Sequence, residues 1–327
     1  MRDNLMQLDV IKTMHIYSTP VQILHCVLQH RRLLQENESN RLLYLPSHLQ
    51  KIQFFVDNNK PVHFVLPAFP AKSPNPQKVL GPLPDMGERL SLQFLQSLCN
   101  EIQKIYSPGA RITICSDGRV FSDLVCVTDE NVTTYSEEIK HILKDINATS
   151  LDAFGMEDIF NCTSFTAMRQ KLVQEYATSV DEVRNLIKTD FNHRHLFNGI
   201  HRFLFEDYLV LQPHKTSNKV RAECKEIAYH VIQRSNAWSN LIAEQFPHAI
   251  RLSIHPQPRD AEKIGIHLIK TDNNWGTPWH NVAVYDGTEF RLMKRSKAEQ
   301  MNATLAYYKG RPSHFTLANT TQKGLVM

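Results

Sequence analysis

The chain has 327 residues, of which 42% are hydrophobic and 21% charged, so it holds enough apolar material for a large core. Lys and Arg number 37 against 33 Asp and Glu, and the resulting charge of +4 is too small to indicate a nucleic-acid binder. No apolar run approaches the roughly 20 residues that span a bilayer, and charged residues interrupt the start of the chain. The composition therefore predicts a globular protein that binds neither nucleic acid nor membranes.

The spacing of the cysteines indicates the cellular compartment of the protein. They are scattered along the chain and never form a CxxC or CxxxC pair, a usage typical of reduced thiols. We therefore expect a cytoplasmic protein. The residues are Cys26, Cys99, Cys115, Cys126, Cys162 and Cys224.

The first 106 residues predict helices, then a strand, then another helix. Helical spacing of apolar residues over 21–34 and a mixed segment over 42–56 predict a helical lead-in. The apolar run 61–69 predicts a buried strand, and four prolines keep the next stretch, 71–85, irregular. Apolar residues on one helical face over 88–106 predict a long helix.

A second strand is predicted at once over 111–115, which makes the order strand, loop, helix, strand. This order is typical of a βαβ unit and a parallel sheet. The stretch 131–246 shows almost only helical periodicity, and strand patterns resume after it. The turn Asp286-Gly287 between the last two runs predicts a β-hairpin. We expect an α/β fold with a mostly parallel sheet, a large helical insertion and a C-terminal β-hairpin.

The expected organisation is a helical lead-in over 1–60, a single α/β catalytic domain over 61–309 and a C-terminal tail over 310–327. No repeats, low-complexity segments or flexible linkers divide the chain.

Ligands of open α/β sheets bind outside the carboxyl ends of the strands, so polar residues in the loops after predicted strands are the first candidates. Three such loops combine cations with carboxylates or a histidine. This composition suits a small phosphorylated substrate, because Arg and Lys bind phosphate while carboxylates and histidine transfer protons. The candidates are Lys72, Ser73 and Asn75 in the first loop, Asp117, Arg119 and Asp123 in the second, and Arg251 and His255 around the third.

Structural roles are the alternatives for several of these residues. Asp85 and Glu88 match the N-cap and capping-box pair of a helix. Asp117-Gly118 makes a good turn by itself, and Arg119 or Asp123 could form only a surface ion pair.

Metal and cofactor motifs are missing from the sequence. His193, His195 and His201 are not spaced by the three or four residues of a helical zinc pair. The chain has no GxGxxG, GxxxxGK[ST] or GxSxG motif. We therefore expect no metal and no dedicated cofactor.

Four runs resemble a known family, the pyoverdine/dityrosine biosynthesis proteins, whose bacterial members are isonitrile (isocyanide) synthases. The runs are FPAKSPNPQKVLGPLPDMGERLSLQFL from Phe69, YSPGARITICSDGRVFSDLV from Tyr106, RLSIHPQP from Arg251 and TPWHNVAVYDG from Thr277. They occur in this order and cover most of the chain from about Val62 to Met293, which makes the resemblance specific.

The resemblance implies a Rossmann-like fold and a cofactor-free enzyme. Such an enzyme joins the α-amino group of tyrosine or tryptophan to the carbonyl carbon of ribulose 5-phosphate and produces an isonitrile. It also implies a downstream non-haem iron oxygenase in the same pathway. Given two anionic substrates, we expect Lys72, Arg119 and Arg251 to bind the phosphate and the carboxylate. An electrostatic role for Lys72 is favoured over a Schiff base with the ketose, because the substrate amine is already a nucleophile.

The remaining site expectations concern proton transfer and the aromatic ring. Asp117, Asp123, His255 and His280 are candidates for the proton transfers of imine formation, dehydration and fragmentation. Trp279 could form a wall of the aromatic pocket or pack in the core.

Three other functions stay open from the sequence alone. Eukaryotic relatives are linked to N-formyl-tyrosine, so the product could be a formamide instead of an isonitrile. The fold could also serve a non-catalytic sugar-phosphate-binding protein, or an aldolase-like enzyme of ketose phosphates that needs no amino acid.

Overall fold

The computed structural model describes residues 18–34, 45–162 and 164–317. The helices are α1 (Thr19–Leu28), α2 (Leu45–Asp57), α3 (Met86–Ile105), α4 (Gly118–Phe121), α5 (Asp129–Asp145), α6 (Phe165–Tyr176), α7 (Val180–Thr189), α8 (Phe191–Leu211), α9 (Ser217–Gln245) and α10 (Arg295–Gln300). The strands are β1 (Val62–Pro67), β2 (Ala110–Cys115), β3 (Leu151–Phe154), β4 (Ile250–Ser253), β5 (Ile264–Gly265), β6 (Val282–Tyr285), β7 (Phe290–Met293), β8 (Thr304–Tyr308) and β9 (Arg311–Thr316).

The main sheet is parallel and has the order β3-β2-β1-β4-β5. Its central strands are nearly continuous apolar runs because helices cover both faces. The order is that of the first five strands of a doubly wound dinucleotide-binding sheet. β1 lies where the order reverses, since β2 and β3 follow on one side and β4 and β5 on the other. The carboxyl ends of β1 and β4 are therefore the place where such a sheet binds its ligand.

Two helical layers sandwich this sheet. α1, α2, α3 and α5 bury their apolar stripes in one core with residues such as Ile52, Leu95 and Tyr135. α6 and α9 close the other face through a second core that contains Leu172 and Trp238. α7 and α8 pack on α9 in a third core, so α8 stands beside the sheet and can reach its carboxyl edge.

The C-terminal strands form a second, mixed sheet with the order β7-β6-β9-β8. β6 and β7 are the predicted hairpin, and their turn contains Asp286 and Gly287 as expected. β9 pairs with β6 in parallel and with β8 antiparallel. The predicted tail, 310–327, begins in the turn between β8 and β9, and β9 lies within it.

The predicted α/β class, parallel sheet, helical insertion and hairpin are confirmed, with two local differences. β3 lies inside the stretch predicted as helical, because four residues at a sheet edge, two of them exposed, carry no readable alternation. β5 is also short and covers only Ile264–Gly265, although the apolar pattern of the sequence continues beyond it. A Cβ at Gly265 would lie 2.3 Å from the carbonyl oxygen of Arg32, because the segment after α1 crosses the sheet there.

Among the described residues, no helix is long and apolar enough to cross a membrane. The six cysteines are free thiols in the structure.

Candidate active site

The loops after β1 and β2 are locked together at the carboxyl edge of the sheet. Phe69 has a φ of 58°, a left-handed conformation that is costly for a non-glycine residue, and its carbonyl accepts a hydrogen bond of 3.1 Å from the Ser116 hydroxyl. A Cβ at position 118 would lie 1.9 Å from the Pro70 carbonyl oxygen. Only glycine fits at 118, and this close approach fixes the position of Asp117.

Asp117 is a half-buried carboxyl group without an ionic partner in the described part of the chain. Its Oδ1 atom is buried and accepts no hydrogen bond. Burial raises the pKa of Asp117 to about 7, so the group is partly protonated near neutral pH. A carboxyl group in this state can both donate and accept a proton, which suits a general acid or base.

Two neutral histidines lie at the same edge. Burial, followed by the charges of Arg32 and Lys263, lowers the pKa of His255 to about 4. Burial also lowers the pKa of His280 to about 3, with Lys78 and His255 contributing. Both imidazoles are therefore neutral at physiological pH and can accept protons.

From the accessible surface of these histidines and their neighbours we infer that they line a cleft. His255 keeps more than a third of its surface accessible, and His280 is half-buried, although protein surrounds both closely enough to shift their pKa values. Side chains on the wall of a concave site combine these two properties. Phe203 of α8 packs on His280 in a tilted arrangement with 4.7 Å between ring centroids, so α8 forms one side of the cleft.

Arg32 connects the two loops that carry the histidines. Its guanidinium donates 2.6 Å and 3.0 Å hydrogen bonds to the carbonyl oxygens of Ile254 and Gly276. Arg32 is not among the predicted site residues, because it lies far from both loops along the chain.

Lys72 is buried in a network of carboxylates and does not face the cleft. Its ammonium group lies 2.7 Å from Asp85, 2.8 Å from Glu88 and 2.9 Å from the Pro278 carbonyl, which uses all three donors. Burial alone would lower the pKa of Lys72, but the two carboxylates raise it above its usual value. Burial raises the pKa of Asp85 to about 7 against the attraction of Lys72, since one lysine cannot neutralise two buried carboxylates.

The same network confirms the capping box, with Asp85 as the N-cap of α3 and Glu88 as its partner. Lys72 therefore ties α3 to the turn 278–280 that carries His280. The structure gives it a positioning role and leaves it no donor for a substrate anion.

Ser73 and Asn75 are also buried and anchor α8. The Ser73 hydroxyl and the Asn75 amide donate to the two carboxylate oxygens of Asp207 at 3.1 Å and 3.0 Å. Lys78 adds an ion pair of 2.7 Å to the same carboxylate. These contacts hold α8 against the loop after β1.

Arg119 and Asp123 belong to an ion-pair network at α4. Arg119 lies 2.8 Å from Glu157 and stacks on the Phe165 ring at 3.6 Å. Asp123 accepts two hydrogen bonds, of 2.6 Å and 3.0 Å, from Arg234. Both side chains are thus committed to protein partners, as the ion-pair alternative proposed. The structure does not bring them together with the histidines of the cleft.

Arg251 is the predicted cation that keeps free donors. It extends from β4 toward α9, where its Nη2 atom lies 2.5 Å from the Ser239 hydroxyl oxygen. The Nε atom of Arg251 is buried and has no hydrogen-bond partner. Lys263, which precedes β5, approaches the same hydroxyl oxygen at 3.2 Å.

Trp279 packs in the core against Phe69, with 5.5 Å between ring centroids, and is 4% exposed. The core alternative therefore describes its position. Trp275 instead is 40% exposed and faces His255 at 5.9 Å and His195 of α8 at 5.8 Å. An aromatic wall of the cleft is thus provided by Trp275.

No group of three potential metal ligands is found among the described residues. His193 pairs with Asp190 at 2.6 Å, His195 stacks on aromatic rings, and His201 contacts the Arg221 carbonyl at 3.2 Å.

Sequence reasoning missed Ser239, Lys263, Trp275 and Asp207. Lys263 lies at the amino end of its strand and Ser239 in a helix, so a search of loops after strands does not find them. A tryptophan among polar residues, as in TDNNWGT, was an available signal for Trp275.

Comparisons with known proteins agree with this architecture. The family model for pyoverdine/dityrosine biosynthesis proteins matches residues 52–306. An L-tryptophan isonitrile synthase of Fischerella ambigua is 58% identical over 298 residues, covering 90% of each chain. An L-tyrosine isonitrile synthase of Pseudomonas aeruginosa is 43% identical, covering 91% of this chain and 94% of its own length. The crystal structure of the PvcA protein from Pseudomonas aeruginosa superposes with a TM-score of 0.87 at 42% identity, covering 92% of this chain and all of that one.

These relationships confirm the predicted family and the predicted class of isonitrile-forming enzyme. The chain belongs to the pyoverdine/dityrosine biosynthesis protein family.

Proposed function

We propose that this protein is an L-tryptophan isonitrile synthase that takes the isonitrile carbon from C2 of ribulose 5-phosphate. Two tryptophan isonitrile synthases are 58% and 52% identical to the chain, whereas two tyrosine isonitrile synthases are 42% and 43% identical. This difference favours tryptophan. What supports the proposal is a set of three side chains, Asp117, His255 and His280, near the carboxyl ends of the strands, none of which has an ion-pair partner among the described residues.

The chemistry needs several proton transfers. The amine nitrogen attacks the C2 carbonyl, and the resulting carbinolamine loses water to give an imine. Both the loss of the amine protons and the departure of water require a positioned acid or base. Asp117 supplies a proton near neutral pH, and the neutral rings of His255 and His280 accept one.

An isonitrile carbon is bonded to nitrogen alone, so both carbon–carbon bonds of C2 must break after the imine forms. One cleavage leaves its electron pair on C2, where it becomes the lone pair of the isonitrile carbon, and the fragment departs as a carbonyl compound. The other cleavage leaves its pair on the departing fragment, where it has to be stabilised and protonated.

The amino-acid ring has an aromatic surface available. Trp275 offers an exposed face, and Phe203 borders the cleft from α8. Stacking against such rings favours an aromatic substrate. The six free thiols are compatible with a reducing cytoplasm, which we propose as the location. We also propose that a non-haem iron oxygenase acts on the product.

Mass spectrometry of the purified protein with ribulose 5-phosphate labelled at C2 tests this function. We expect tryptophan to gain the labelled carbon and lose two hydrogens, at a higher rate than tyrosine. A product heavier by one water would instead identify a formamide. If neither amino acid is consumed while the sugar phosphate binds, the protein is a binding protein and the proposal is wrong.

A further inference from the structure

Two cations meet at one hydroxyl group beside the cleft. Arg251 lies 2.5 Å and Lys263 3.2 Å from the Oγ atom of Ser239. Neither cation has a carboxylate within ion-pair distance in the described part of the chain. Most other buried or half-buried cations near the site, such as Lys72, Lys78 and Arg119, have such a partner.

The fold forces this pair together. β4 and β5 run parallel with Leu252 opposite Ile264, so the preceding residues, Arg251 and Lys263, lie side by side on one face of the sheet. That face is covered by α9, which contributes Ser239. Like charges on neighbouring strands repel each other, so this arrangement has a cost in stability.

The lowered pKa of Lys263 reflects its burial and then this repulsion. Burial, and then the charge of Arg251, lower the pKa of Lys263 to about 8. Burial also lowers the pKa of Arg251. The buried Nε atom of Arg251 remains a donor without an acceptor among the described residues, as does that of Arg32.

A bound multivalent anion would pair with both cations and accept a hydrogen bond from the Nε atom of Arg251. A phosphate monoester carries a charge of about −1.5 to −2 at neutral pH and has three terminal oxygens, which match two cations and a hydroxyl donor. A single carboxylate has one charge and two oxygens, so it would leave part of the cluster unmatched.

We propose that Arg251, Lys263 and Ser239 form the subsite for the 5-phosphate of the ketose phosphate. This assignment rests on the proposed function. Arg251 keeps the anion-binding role that the sequence predicted. Lys263 and Ser239 take the place of Lys72 and Arg119, because those two side chains have protein partners. Because Lys263 is close enough to His255 to lower its pKa, the subsite holds the sugar beside a proton-transfer group.

The test measures binding of ribulose 5-phosphate by calorimetry for the wild type and for Lys263→Gln. Loss of one charge-assisted contact is expected to weaken binding about 10- to 100-fold. Lys263→Arg keeps the charge and should retain most of the affinity. Lys104→Gln is the matched control, because this lysine is 70% exposed and lies in an i,i+3 surface ion pair.

Two further measurements separate the subsite from the fold and from the function. Tryptophan binding should stay unchanged in Lys263→Gln, its melting temperature should be equal or higher because the repulsion from Arg251 is removed, and affinity for ribulose without its phosphate should be equal in both proteins. Unchanged affinity for ribulose 5-phosphate in Lys263→Gln and in Ser239→Ala would overturn the subsite alone. A wild-type protein that neither binds the sugar phosphate nor forms an isonitrile would overturn the proposed function, and the subsite with it.

Discussion

Replacing Asp117 by asparagine should make the protein more stable at neutral pH and slower as an enzyme. The pKa of Asp117 is raised from 3.8 to about 7 by burial, so folding disfavours its ionised form. One pKa unit corresponds to about 1.36 kcal/mol, which sets an upper bound of about 4 kcal/mol on the destabilisation. Because the side chain is only half-buried and water screens part of this cost, we expect a gain of about 2 kcal/mol.

The sign and the pH range follow from proton binding. Below pH 4 the carboxyl group is protonated in both states, so the variant and the wild type should be equally stable. Between pH 4 and 7 the folded state binds more protons than the unfolded state, and the wild type therefore loses stability as the pH rises. The advantage of Asp117→Asn should grow over this range and level off above pH 7.

Urea denaturation at several pH values measures this difference, with turnover recorded in parallel. Asp123→Asn is the matched control, because this aspartate is 42% exposed and paired with Arg234. It should lose up to about 1 kcal/mol and gain nothing. The reasoning is wrong if Asp117→Asn is no more stable than the wild type at pH 7 to 8, or if its gain does not vary with pH.

Three other perturbations have defined outcomes. His280→Gln should lower kcat about 100-fold in steady-state assays while tryptophan binding persists. Because Asp117 itself has a pKa of about 7, the pH test uses Asp117→Asn, and a residual turnover of that variant that declined below about pH 6.5 would contradict the depressed pKa of about 3 for His280. Lys72→Met should destabilise the protein by about 3–5 kcal/mol in thermal unfolding, because it leaves two buried carboxylates unpaired. Borohydride should trap no covalent ketose adduct on Lys72 of the wild type, and an adduct in the mass spectrum would restore the Schiff-base role. Gly118→Ala should displace the Pro70 carbonyl and lower both stability and turnover, whereas Gly199→Ala, with open space around its Cβ, should be neutral or stabilising.

Local patterns predicted the elements that depend on local physics. The apolar run of β1, the helical stripe of α3 and its capping box are each fixed by neighbouring residues, and all three are present. β3 was missed because its four residues acquire strand geometry from pairing with β2, which is a long-range contact. The carboxyl-edge rule singled out Asp117 and His255, whereas His280 was expected from the family resemblance, and a joint role of the three in one site stays a prediction.

The roles of individual cations could not be predicted in this way. Lys72 stands among prolines in the sequence, but its carboxylate partners fold back onto it from the start of α3. Arg119 meets Glu157, which lies 38 positions further along the chain. Whether a cation is free for a ligand depends on such distant partners, so only the folded chain distinguishes Arg251 from Lys72 and Arg119.

Asp207 fastens α8, which forms one side of the cleft, to the loop after β1. Its single carboxylate receives Ser73, Asn75 and Lys78, and it lies one turn beyond Phe203, which rests on His280. Moving α8 away from the sheet edge would break all of these contacts together and leave a buried charge unpaired. Substrate entry past α8 and local unfolding of the helical layer would then share one free-energy barrier. Amide hydrogen exchange in α8 should therefore slow when ligands occupy the cleft, and it reports on access to the site without any measurement of catalysis.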